Sequence, residues 1–135
     1  MPARLPTRLI TRVVFTVLVP VFALCVVVQF NDPDPVPWIA IYTAAGLVCA
    51  GIAANVRVAE FAGVTGVIAL LWALTQVHSV VSFLQSDKAP VNFTMKTGDL
   101  EEEEAREAGG LALVVAACAA AVVVDVRKRR VAASA

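Results

Sequence analysis

The chain has 135 residues, 59% of them hydrophobic and 16% charged, with a mean hydropathy of +0.80; this balance excludes an ordinary soluble domain and reads as an integral membrane protein. Eleven basic residues cancel eleven acidic ones to a formal charge of zero, so the placement of the charges carries the information. Cys25, Cys49 and Cys118 lie in separate apolar runs with one histidine in the whole chain, which argues against a thiolate metal site and for small buried hydrophobes.

Arg4, Arg8 and Arg12 lead into an apolar run that ends on Gln29-Phe30-Asn31-Asp32 without a small-x-small cleavage signal. It is therefore read as a retained first span, residues 9–30, and not as a signal peptide. Crossing a hydrocarbon core of about 30 Å takes about 20 mostly apolar helical residues. Segments 38–56, 61–84 and 108–126 also meet that test. The alternating strands of a β-barrel are absent from the sequence, so the expected fold is all-α, a four-helix transmembrane bundle forming a single membrane domain. Pro20 removes the donor that the Thr16 carbonyl would use and predicts a kink in the first span.

The first connection, residues 31–37, reads NDPDPVP. Asp32, Asp34 and Val36 each precede a proline, which disfavours helical geometry and predicts an extended link. Asp34 suits the N-cap of the second helix, Pro35 its first position and Trp38 the membrane interface. Gly46, Ala50 and Ala54 on the second span, and Ala112, Ala116 and Ala120 on the fourth, are small-residue stripes expected to let helices approach closely. On the third span Thr75, Ser79 and Ser82 share a stripe expected to face the interior, beside Gln76 and His78, with Gln29, Tyr42 and Thr43 at comparable depth.

The connection 85–107 contains a segment, 88–96, that reads as extended or interfacial. Asp99 then suits a helix cap, and Glu101 to Glu104 load the first turn with the charge that a helix dipole favours there. Glu102 and Arg106 are four apart in the order that favours an ion pair, and Glu107 nears the depth where an unpaired charge is costly.

The N-terminal tail, the 56–60 link and the C-terminal tail together hold eight basic residues against Glu60 and Asp125. Positive-inside bias places these segments, and both termini, in the cytoplasm. Connections 31–37 and 85–107 hold nine acids against Lys88, Lys96 and Arg106, and so are expected on the opposite, non-cytoplasmic face. The basic cytoplasmic tail 127–135 opens with Arg127-Lys128-Arg129-Arg130 directly after a span; it reads as an orientation signal or a headgroup anchor, and nucleic acid is not an expected partner. The expected partner is the lipid bilayer, with a homo-oligomer or a larger membrane complex left open. The Ala, Val and Arg bias points to a bacterial inner membrane.

Gln29-Phe30-Asn31-Asp32-Pro33-Asp34-Pro35 with Trp38 and Tyr42, and Glu102-Glu103-Glu104-Ala105-Arg106-Glu107 with Gly110-Leu111, resemble the transmembrane protein 220 family. The likeness spans all four apolar segments. It implies a small multi-pass membrane protein and supplies no reaction; His78 matches no motif position. The residues of both blocks make up the candidate ligand or partner site: Gln29, Asn31, Asp32, Asp34, Trp38, Tyr42, Glu103, Arg106 and Glu107, with His78 at its edge.

No cofactor is evident in the sequence. Asp32, Asp34, Glu103 and Glu107 are the oxygen donors that a divalent cation such as calcium or magnesium takes, although no known loop spacing is present. The expected function is non-enzymatic: an acidic site on the non-cytoplasmic face that binds a small cationic ligand, a divalent cation or a partner. The alternatives are a membrane-surface enzyme using a carboxylate pair, for which no nucleophile stands out, and a structural subunit of a larger membrane complex.

Overall fold

The computed structural model of the protein describes residues 7–85 and 100–134. Its elements are α1 (Thr7–Val28), a 3-10 turn (Gln29–Asn31), α2 (Pro35–Ala53), α3 (Ala59–Thr75), α4 (Val77–Gln85) and α5 (Leu100–Ala133). No strand occurs among the described residues, in line with the all-α expectation. Three helices are long and apolar enough to cross a membrane, and a fourth crossing is present if α3 and α4, bent by 53° at a break, form one span.

α3 packs on α5, and α2 packs on both of them. Among the described residues α1 packs on no long helix other than α2, so α2, α3 and α5 form the centre and α1 lies outside it. The composition of α1 explains why. It buries Phe15 and Phe22, while Val13, Val17, Leu24 and Val27 point outward. In lipid such a face carries no cost that would force closure around it.

The small-residue stripe of the fourth span is not a packing face, and that of the second span is one only in part, where Gly46 lies against Phe22 of α1. Ala54, Ala112, Ala116 and Ala120 are exposed, with Gly46 and Ala50 half-buried. The buried face of α5 is Leu111, Val114, Ala117, Cys118, Ala121 and Asp125. A strict four-residue step turns about 400° and drifts off one face, whereas alternating steps of three and four follow the helical period.

Val36, expected in an extended link, lies in the first turn of α2. First-turn N–H groups have no acceptor within their own helix, so Pro35 and Pro37 sacrifice no hydrogen bond there. α2 ends before the expected residue 56. Asn55 adopts a φ of 62°, its N–H donates to the Ile52 carbonyl at 3.1 Å, and Val56 N–H donates to the Gly51 carbonyl at 2.7 Å. That pair of bonds is the Schellman stop, with Asn in the left-handed position it tolerates better than most residues.

The 34 residues of α5 give a rod of about 50 Å, longer than a bilayer core. The expected tail 127–135 is therefore helical as far as Ala133. Near that end the buried Asp125 accepts the N–H groups of Val58 at 3.1 Å and Ala59 at 2.9 Å, together with Arg129 Nη2 at 2.8 Å. Glu60 pairs with Arg57 and with Arg129, and Lys128 Nζ donates to Asn55 Oδ1 at 3.1 Å. One end of the molecule is thus basic and tied by ion pairs; the acids gather at the other.

Candidate functional site

At the acidic end the 3-10 turn stops α1, and Asp32 follows it with extended geometry (φ −77°, ψ 145°). Asp32 Oδ1 accepts the N–H of Asp34 at 2.9 Å, a turn closed by the side chain. Asp34 occupies the N-cap position of α2 as expected, but its side chain makes no capping bond. The Asx-Pro repeat thereby presents the Asp32 carboxylate towards α5.

On α5, Glu103 and Glu107 are one turn apart and continue the stripe that becomes the buried face at Leu111. The carboxylates of Asp32, Glu103 and Glu107 are half-buried, and one oxygen from each lies within 4.8 Å of the others. A point between them lies at most about 2.8 Å from each oxygen, a reach compatible with the 2.3–2.6 Å that calcium takes to oxygen. The three acids line a cleft of about 310 Å³ with Pro33, Asp34, Pro37, Trp38 and Trp72. The two indoles pack at a centroid distance of 4.3 Å and 34° between planes, and Trp38 stacks on Tyr42 at 6.1 Å. Tyr42 in turn rests on α5, where Gly110 leaves room for its hydroxyl.

A buried amide supports this wall. Gln76, 7% exposed, sits at the break between α3 and α4, and its Nε2 donates to Glu107 Oε2 at 2.7 Å. Its Oε1 is buried with no hydrogen-bond partner among the described residues. Ser79 donates to Glu104 one turn further along α4.

The structure thus brings together Asp32, Glu103 and Glu107 from two distant segments, with Asp34 and Trp38 on the same cleft. Arg106, half-buried beside them on α5, is within electrostatic reach of Glu107. Of the expected metal donors, Asp34 is exposed and stands apart from the triad. Gln29 and Tyr42 are buried behind the cleft, Asn31 is exposed, and His78 is exposed on α4. The expected inward stripe holds in part: Ser79 and Ser82 are half-buried and Ser79 bonds Glu104 of α5, whereas Thr75 is exposed and donates to the Trp72 carbonyl at 2.7 Å, and Gln76 turns in beside them. The Asp99 cap, segment 88–96 and the Glu102 side chain lie outside the described residues.

Two functional candidates were not singled out by sequence reasoning, Trp72 and Gln76. Trp72 sits in an apolar run where only its proximity in space to Trp38 distinguishes it. Gln76 lay among neighbours of equal polarity.

The family model described as transmembrane family 220, helix, matches residues 21–123. That stretch includes both sequence blocks that make the cleft. Comparison with curated proteins and with solved structures finds no match. By the extent of the family match, which covers well over half of its residues, the chain belongs to transmembrane family 220.

Proposed function

We propose that this multi-pass membrane protein binds a small cation, without catalysis, at Asp32, Glu103 and Glu107, and that this end faces the non-cytoplasmic side of a bacterial inner membrane. The observation that carries the reading is the convergence of three half-buried carboxylates on one cleft. Like charges at that spacing repel, and partial burial weakens the screening that water would provide; a bound cation offsets both. The sorting of basic and acidic segments supports the orientation. The lining supplies acids, prolines and indoles, which suits binding better than group transfer.

The test is thermal unfolding of the purified full chain in detergent with calcium, magnesium or ethylammonium chloride at matched ionic strength. At least one cation should raise the midpoint saturably, since a ligand at a hundred times its Kd stabilises by about 2.7 kcal/mol. The Asp32→Asn/Glu107→Gln double variant should lose that shift. A midpoint that none of these cations moves would refute the reading.

A further inference from the structure

We infer that the cation taken by this cleft is the primary ammonium group of an organic ligand; the inference rests on the cation-binding reading above and names its ligand class. Three features of the site converge on it. The first is size. A cleft of about 310 Å³ falls at the lower edge of small-molecule pockets, far above what a bare ion fills. The second is the wall: Trp38, Trp72, Pro33 and Pro37 stand beside the carboxylates, apolar surface that a metal ion leaves unused. The carbon next to an ammonium group packs against such surface, and an indole attracts the charge itself.

The third feature is the balance of donors and acceptors. Ionised Asp32, Glu103 and Glu107 only accept hydrogen bonds. Behind them the carboxamide of Gln76, in a residue 7% exposed, points at Glu107 and carries an oxygen without a donor among the described residues. A cluster of three carboxylate acceptors calls for a ligand that brings several N–H groups. A primary ammonium brings three donors and no acceptor, whereas a quaternary ammonium brings none. The amine has two sources with the same chemistry, an aminophospholipid headgroup and a free soluble amine.

Trp38 and Trp72 are the chain's two tryptophans and both line the cleft, so intrinsic fluorescence reports on this place alone. The experiment titrates the full chain in phosphatidylcholine nanodiscs with ethylammonium, tetramethylammonium or calcium chloride at constant ionic strength, reading fluorescence and heat in parallel. Ethylammonium should saturate at a concentration at least tenfold below tetramethylammonium. Asp32→Asn, on a connection outside the helices, and Glu103→Gln should each weaken it at least tenfold with helical circular dichroism retained. Adding phosphatidylethanolamine to the discs should displace the ethylammonium curve to higher concentration if a headgroup is the natural occupant, and leave it in place if a free amine is. Equal responses to ethylammonium and tetramethylammonium would overturn the inference. So would saturation by calcium with none by ethylammonium, which leaves cation binding intact. Silence towards all three salts would overturn cation binding as well.

Discussion

Tyr42 connects the cleft to the packing beneath it. Its ring carries Trp38 on one side and lies 6.4 Å from Phe22 of α1 on the other, while its hydroxyl occupies the space over Gly110. A methyl group at Gly110 would overlap that hydroxyl and approach Cζ within 3.1 Å. The ring is 5% exposed and walled by aromatics, so it has nowhere to swing. Gly110→Ala should therefore destabilise the protein by about 1–3 kcal/mol, the cost of overpacking. Gly109→Ala, where an added Cβ meets nothing within 4 Å, should be neutral or gain up to about 1 kcal/mol of helix propensity. Thermal unfolding of the two variants side by side separates a specific clash from a general effect of replacing glycine. The two tyrosine and tryptophan positions near NDPDP were legible in the sequence as part of the site, but their work as the floor under it was not. That work depends on a glycine contributed by another helix.

The helices show the same division between what local pattern reveals and what tertiary contact adds. α5 carries one stripe that begins with Glu103 and Glu107, runs through Leu111, Val114, Cys118 and Ala121, and ends at Asp125. Its apolar part binds the centre of the molecule, and each polar end serves a different purpose. Asp125 caps α3 from outside: the N-cap residue Val58 has no side-chain acceptor to offer, and the carboxylate of α5 takes two of the first N–H groups instead. Asp125→Ala should cost about 1.5–3 kcal/mol, the range for hydrogen bonds to a charged group, and should loosen the start of α3 before the rest. Hydrogen exchange at Val58 and Ala59, compared with Ala69 in the middle of α3, checks this; equal protection losses at both places would count against a capping role.

The Asp125 cap was hidden from sequence reading because donor and acceptor are far apart along the chain, and Asp125 looked like one more residue of a charged tail. The break at Gln76 was hidden for another reason. No proline or glycine marks it, and a continuous helix through Thr75, Ser79 and Ser82 satisfied the polar spacing equally well. What the break accommodates is the reach of the Gln76 amide to Glu107.

At the scale of the whole molecule, the charges are sorted to two ends joined by an apolar centre. The apolar lengths of the spans and the two acidic blocks were legible because membrane crossing and charge bias are properties of segments. The position of α1 against α2, outside the centre, was not, since in lipid an outward face and an inward face of an apolar helix read alike. Nor could spacing show that residue 32 meets residues 103 and 107; only the return of α5 alongside α2 and α3 brings them together. The central claim is that these two segments form one site. Its most direct test uses the full chain in native membranes with Cys25, Cys49 and Cys118 replaced by alanine. Asp32→Cys and Glu103→Cys are then introduced together and treated with a short bismaleimide. An efficient intramolecular cross-link is expected for this pair, and none for Asp32→Cys with Glu60→Cys at opposite ends. Failure of the Asp32–Glu103 pair to link, while each cysteine still reacts with a monofunctional maleimide, would contradict it.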